Sequence, residues 1–269
     1  MKYRIIVLDL DGTLTNRDKI ITPKTKEALF RFKDKGGVVV LASGRPTYGV
    51  MPLAKELLLP ETGGYILSFN GGRIIDCKTG ETVFARELPV ESNRKIIGLA
   101  KEHGVNILTY EDEVIITPDS SDEYVKIEAA VNKLEVKEIE DFEVYVDFPV
   151  VKFLMLDDGD YLALVEGKVK AALGRDFSVY RSEPYFLEVL PKGIDKAASL
   201  NRLLDRLGMT KEEMIACGDG YNDLSMIKFA GLGVAMENAV LPVKNAADYI
   251  TLSNNEDGIA HVVEKFIFS

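Results

Sequence analysis

The stretch "IIVLDLDGTLT", Ile5 to Thr15, runs four apolar residues into two aspartates, Asp9 and Asp11, separated only by Leu10. In a strand, residues two apart face the same way, so both carboxylates would share one side. Two carboxylates that close repel each other, and one stays protonated unless a cation compensates. Taken alone, the stretch is also a surface Asp-Gly turn. The choice between a turn, a metal site and a nucleophile depends on what the rest of the chain brings to the end of this strand.

The runs that follow have the same style. "IIVLDL" is followed by the helical pattern "TPKTKEALFRFKDKG", with Thr22 as N-cap, Pro23 at the first helical position and Gly36 as stop. Then come "VVVLAS", a helix from about Pro46, and the hairpin-like trio "YILSFN", "RIID" and "TVFA". In the middle of the chain the style changes. Helical patterns near 90–104, 120–134 and 160–173 alternate with "NILTYE", "EVIITP", "EVYVDF", "VKFLMLD" and "FSVYRSE", several of them polar–apolar alternators. That suits an α+β module with one solvent-facing sheet side. From about residue 189 the first style returns, with "FLEVLP", "MIACGD", "GLGVAM" and "YITLS", each with a helix behind it. Near-continuous apolar strands alternating with helices imply a parallel, doubly wound sheet. The expected fold is therefore α/β, a doubly wound core of residues 1–83 and 189–269 interrupted by an inserted module at 84–188.

Composition narrows the functional classes. The chain has 269 residues, 46% of them hydrophobic, which is enough for a sizeable core and argues against disorder. Its formal net charge of -10 shows no basic face for nucleic acid, so none is expected as a partner. The two cysteines, Cys77 and Cys217, lie far apart and outside any CxxC or Cys/His cluster, which removes zinc and redox motifs. The N-terminal "MKYRIIVLDLD" is too short and acidic for a signal peptide, and no window reaches the roughly 18 apolar residues of a membrane helix. A cytoplasmic protein without a membrane partner is expected.

In a doubly wound sheet, ligands gather at the carboxyl ends of the strands. The polar residues just past the apolar runs are Asp9 and Asp11, then Ser43, Gly44 and Arg45, then Asp219, Asn222 and Asp223, with Lys196 near the start of the helix after "FLEVLP". Two acidic loops, a hydroxyl loop and a lysine would meet on one edge. A hard cation such as Mg2+ takes oxygen ligands and keeps waters, so a few carboxylates suffice, and Asp219 is the natural addition from the neighbouring strand. A calcium EF-hand is excluded, because the twelfth position from Asp9 is Ile20, where glutamate is needed. Ser43 and Pro46 are also simply a helix start, and that same geometry makes an anion site.

Together "DLDGTLT", "VVVLASGRP", "GIDKAASL" and "ACGDGYNDLSM" resemble, in order, the four signatures of the haloacid dehalogenase superfamily. The long insert is similar to the α/β cap of its subclass IIB, the Cof-like sugar-phosphate phosphatases, and "YFLEVLPKGIDKA", "GVAMENA" and "TLSNNEDGIA" are also similar to that subgroup. The resemblance implies a nucleophilic Asp9 that forms an aspartyl-phosphate. It implies that Asp11 acts as acid and base through its side chain and as a Mg2+ ligand through its backbone carbonyl. Ser43, the Gly44 N–H and the Leu10 N–H would hold phosphoryl oxygens, with Asn222 touching the same group. Lys196 would offset the charge of Asp9 and the phosphate. Asp9 and Asp219 would bind Mg2+, and Asp223 would orient it from behind. The implied substrate is a small phosphorylated metabolite. Thr13, Arg45 and Asn70 have no single role: Thr13 bonds within its loop, Arg45 reaches substrate or a carboxylate, and Asn70 is a turn residue or a contact near the site. The leading reading is a Mg2+-dependent phosphatase. The alternatives are a sugar phosphomutase with the same nucleophile and a phosphate- or metal-responsive binding protein.

Overall fold

The computed structural model of the protein describes residues 1–269. The chain forms two compact units: Met1–Phe84 with Asp195–Ser269, and Ala85–Ile194. No helix is long and apolar enough to cross a membrane.

The first unit is built on one sheet. Its early strands are β1 (Ile5–Leu8), β2 (Val38–Ala42), β3 (Tyr65–Ser68), β4 (Arg73–Asp76) and β5 (Thr82–Ala85). The second unit supplies β6 (Asn106–Glu111), β7 (Val114–Thr117), β8 (Glu135–Glu138), β9 (Phe153–Leu156), β10 (Phe177–Glu183) and β11 (Phe186–Pro191). The chain then returns with β12 (Met214–Gly218), β13 (Leu232–Ala235) and β14 (Tyr249–Ile250). The first sheet runs β14-β13-β12-β1-β2-β3-β4-β5. From β14 to β3 neighbouring strands are parallel, and β4 returns antiparallel to β3.

The apolar run of β1 follows from burial on both faces. Ile6 and Leu8 pack with Leu29 and Phe32 of the helix Pro23–Asp34 and with Val262 of the helix Gly258–Val263. Ile5 and Val7 pack on the other side with Leu200, Leu203 and Leu204, which share one face of the helix Lys196–Leu207. Each fully buried Leu or Ile of this kind contributes about 1.5–3 kcal/mol relative to exposure. The caps act as the sequence implies: Thr22 Oγ1 accepts from Thr25 N at 3.2 Å, and Asp195 accepts from Ala198 N at 2.9 Å.

The second unit has its own sheet, β10-β11-β9-β6-β7-β8, mostly antiparallel, with β7 and β8 parallel. Two features depart from the sequence reading. The return to the core falls at Asp195 and not at 189, because "FLEVLP" is β11 and pairs antiparallel with β10 and β9. All six of its residues are buried, so its apolar run resembles that of a parallel core strand. "EVYVDF", read as a strand, contains the end of a helical turn, Phe142–Tyr145. Phe142 and Val146, four apart, are both buried there, whereas Val144 is exposed.

Candidate active site

β1 lies between β12 and β2, with Leu8 level with Cys217 on one side and Leu41 on the other. Its carboxyl end therefore opens beside those of both neighbours, where the strand order reverses. Asp9 continues β1 through Asp9 N, which donates to Cys217 O at 3.1 Å. The chain then folds back on itself. Thr15 N donates to Leu10 O at 3.0 Å, Thr15 Oγ1 donates to the same carbonyl at 3.0 Å, and Leu14 N donates to Asp9 O at 3.1 Å. Gly12 has φ +85, and a Cβ placed there would stand 2.3 Å from Asp219 Oδ2. The loop can approach Asp219 this closely only because residue 12 has no side chain.

Lys196, at the start of its helix, is fully buried. Its Nζ donates to Asp9 Oδ1 at 2.7 Å, Asp223 Oδ1 at 2.6 Å and Ala42 O at 2.9 Å. Asp223 is also fully buried, and its Oδ2 accepts from the N–H groups of Asp219 and Gly220, each at 2.9 Å. Asp219 Oδ1 accepts from Thr13 Oγ1 at 2.8 Å. Thr13 thus bridges the two acidic loops and does not bond only within its own. Facing oxygens of Asp9, Asp219 and Asp223 lie within 4.8 Å of one another.

The electrostatics follow from three carboxylates served by one ammonium. Burial, then the charge of Asp223, pushes Asp9 up to about 8 despite Lys196. Burial chiefly, with Asp223 adding to it, pushes Asp219 up to about 6 although Thr13 opposes the rise. For Lys196, burial works against the charged form, but the facing Asp223 and Asp9 outweigh it and hold the ammonium above its ordinary value. The donor set fits a hard divalent cation: oxygen ligands only, and negative charge that the chain itself does not balance. Asp9 Oδ2 and Asp219 Oδ2 accept no hydrogen bond from the chain, whereas both oxygens of Asp223 are taken.

Ser43 and Gly44 follow β2. Ser43 Oγ accepts from Arg45 N at 3.2 Å, and Ser43 O accepts from Asn70 N at 2.9 Å. Asn70 is buried in a left-handed turn at φ 54, and its Oδ1 accepts from Asn222 Nδ2 at 3.1 Å. A Cβ on Gly44 would meet the Asn70 amide at 3.2 Å, so Ser43, Gly44, Asn70 and Asn222 form one packed wall. Asp11 is engaged elsewhere. Arg45 Nε donates to its Oδ2 at 2.8 Å, and Arg45 Nη2 and Lys19 Nζ each donate to Oδ1 at 2.7 Å. Burial alone would raise Asp11, but the bonds and charge of Arg45 and then Lys19 hold it below the usual carboxylate range. Arg45, open between two roles in the sequence, is a carboxylate partner.

A family model for haloacid dehalogenase-like hydrolases matches residues 6–263. The chain belongs to the haloacid dehalogenase-like hydrolases. It is a phosphatase of that family. It is 52% identical to a haloacid dehalogenase-like hydrolase from Bacteroides thetaiotaomicron, over 99% of this chain and 100% of that one, with a TM-score of 0.95. It is 31% identical to the 5-amino-6-(5-phospho-D-ribitylamino)uracil phosphatase YcsE of Bacillus subtilis, over 98% of this chain and 96% of that protein. A haloacid dehalogenase subclass IIB sugar phosphatase of known structure is 25% identical, with a TM-score of 0.81 and 98% of each chain covered.

In this haloacid dehalogenase-like hydrolase the Asp9–Thr15 loop is braced by two asparagines outside the candidate residues of the sequence. Asn238 Nδ2 donates to Gly12 O and Asn254 Nδ2 to Thr15 O, each at 2.8 Å, and Asn254 N donates to Asn238 Oδ1 at 3.0 Å. Both asparagines lie in the stretches "GVAMENA" and "TLSNNEDGIA", which follow late strands and so pass the same strand-end test. Lys19, the second cation on Asp11, is marked by no motif or strand end in the sequence.

Proposed function

We propose that this phosphatase hydrolyses small phosphorylated metabolites, sugar phosphates foremost, with Mg2+ and through an aspartyl-phosphate on Asp9. The observation that carries the reading is the state of Asp9. It is buried at the end of the central strand, one oxygen is held by Lys196, and the other accepts nothing from the chain. A carboxylate oriented in this way is a nucleophile with a fixed approach.

Asp9 Oδ2 attacks phosphorus and forms an acyl phosphate bond. The ester P–O bond breaks, and its electron pair leaves with the alkoxide. Arg45 and Lys19 favour the ionised form of Asp11, so Asp11 takes up a proton from solvent as the ester binds and passes it to that oxygen. Water then attacks phosphorus, Asp11 takes the proton from water, and the bond to Asp9 breaks to release inorganic phosphate. Ser43 Oγ and the N–H groups of Leu10 and Gly44 orient the phosphoryl oxygens, and Asn222 completes the wall. Lys196 keeps positive charge beside Asp9 as the dianion arrives. Asp9 and Asp219 would hold Mg2+, with the Asp11 carbonyl completing the protein ligands and Asp223 fixing the Asp219 loop from behind. When bound, the cation offsets the charge of the attacking carboxylate and of the phosphoryl group.

Selection among substrates is assigned mainly to the second unit, as the subclass IIB resemblance suggests. A cytoplasmic place of action belongs to the same reading, supported by two buried cysteines that form no disulfide. The test is a panel of phosphorylated metabolites with Mg2+, read by phosphate release. Substantial release from sugar phosphates by the natural protein, and none by Asp9→Asn, is the expected result. Isomerised sugar phosphate in place of free phosphate would overturn it.

A further inference from the structure

Lys19 has no part in the chemistry just described, yet its placement is elaborate. Asn16 organises the turn that carries it: Asn16 Oδ1 accepts from Asp18 N at 3.0 Å and from Ile20 N at 3.2 Å, and Asn16 O accepts from Lys19 N at 3.0 Å. The turn is fastened from outside by Asn255 Oδ1, which accepts from Arg17 N at 2.9 Å. Lys19 itself is left-handed at φ 60, a conformation that few residues with a side chain adopt without local compensation. The result is an ammonium set 2.7 Å from Asp11 Oδ1.

The two cations on Asp11 are unequal. Arg45 grips both oxygens, its side chain is 16% exposed, and its Nη1 also reaches Gly49 O at 3.4 Å. Lys19 makes one contact, and its side chain is 63% exposed. An exposed single-point pair contributes little and exchanges easily, whereas a two-point guanidinium–carboxylate pair persists. For Asp11 to serve an ester's leaving oxygen, that oxygen must come within hydrogen-bond reach of a carboxylate oxygen. At Oδ1, Lys19 is the partner that this oxygen can displace without breaking the Arg45 fork.

Resting on the function proposed above, we infer that Lys19 is a specificity-determining residue: it yields Asp11 Oδ1 to the leaving oxygen and binds an oxygen substituent on the neighbouring carbon of the leaving group. The substituent is a hydroxyl or a carboxylate oxygen, since an ammonium donates to either and to no alkyl group. Substrates of the type O–P on one carbon and O on the next are therefore favoured over plain alkyl phosphates.

The experiment compares the natural protein, Lys19→Met and Lys19→Arg with Mg2+ on glycerol 3-phosphate, phosphoglycolate and propyl phosphate. The quantity read is the ratio of kcat/KM for each oxygen-bearing ester to that for propyl phosphate. In the natural protein this ratio is expected to be about ten or more for at least one of them, as one charge-assisted hydrogen bond implies. In Lys19→Met it falls close to one, mainly through KM, and Lys19→Arg restores most of it. Collapse of the ratio for glycerol 3-phosphate alone assigns a hydroxyl, and for phosphoglycolate alone a carboxylate; either supports the inference. A ratio that survives Lys19→Met, or a natural protein with no preference, overturns it while hydrolysis itself stands. Equal losses on all three esters also overturn it, since they mark a structural role. No phosphate release by the natural protein from any ester would instead bring down the function, and this inference with it.

Discussion

Lys196 Nζ stands 2.7 Å from Asp9 Oδ1, joining residues 187 positions apart in a buried hydrogen bond. The same ammonium holds Asp223 at 2.6 Å, so one cation serves the carboxyl ends of two parallel strands. Its loss leaves buried carboxylates without a partner. Lys196→Met is expected to lower stability by about 3 kcal/mol or more, measured by denaturant midpoint. Adding Asp223→Asn to that variant should recover part of the loss, because one of the stranded charges is then removed. A Lys196→Met protein as stable as the natural one would contradict the pairing described.

Asp9→Asn keeps the shape of the side chain and leaves Lys196 bonded to Asp223 and Ala42 O. The variant should stay folded and lose at least about a thousandfold in kcat on any phosphate ester, because an amide cannot form the acyl phosphate. Phosphate release near the natural rate would sink Asp9 as the nucleophile.

The raised Asp9 and Asp219 give a signed pH dependence. Between the ordinary carboxylate value of about 4 and the raised value of about 8, the folded state holds a proton at Asp9 that the unfolded state has given up. This contribution to stability is full below pH 4 and is lost as the pH rises through 8. With Mg2+ chelated, the natural protein should therefore lose stability relative to Asp9→Asn, which cannot titrate there, by a few kcal/mol across that window. Mg2+ competes with these protons, so its affinity should climb over the same range, measured by calorimetric titration at several pH values. A stability difference that stays flat or moves the other way would show that Asp9 is ionised throughout.

Gly12 and Gly36 form a matched pair of tests. Both are left-handed, at φ +85 and +82, but a Cβ on Gly12 would press on Asp219 whereas one on Gly36 meets nothing within 4 Å. Each change to Ala should show backbone strain of about 1 kcal/mol or more. Only Gly12→Ala should also weaken Mg2+ binding, by about tenfold or more, since only it displaces Asp219. Equal Mg2+ affinities in the two variants would mean that the close approach is without consequence.

The parts of this site that could be read in the sequence are those governed by simple periodicity. β1 and β12 are short apolar runs buried on both faces, and their ends place Asp9 and Asp219 side by side without knowledge of any side-chain contact. Lys196 follows from the same strand-to-helix pattern, because Asp195 caps its helix and turns it inward. What escaped reading depends on partners far away in the chain. The Asp11–Arg45 fork, the Thr13–Asp219 bond and the asparagine braces on the loop each join segments that nothing local relates. The return boundary was misplaced for a similar reason: β11 reads like β1, and only its antiparallel partners reveal which sheet it enters.

The pairing of β1 with β12 has a consequence for biosynthesis. Ile5 is level with Met214, so the strand that carries Asp9 leaves the ribosome long before its partner on that side exists. Meanwhile the whole second unit, Ala85–Ile194, is made with all of its own strands at hand. Vectorial synthesis therefore favours the insert folding first, with the outer unit closing around β1 only once the last third of the chain has emerged. A nascent chain stalled before Met214 would present the apolar edge of β1 that β12 later covers, the kind of intermediate that chaperones hold.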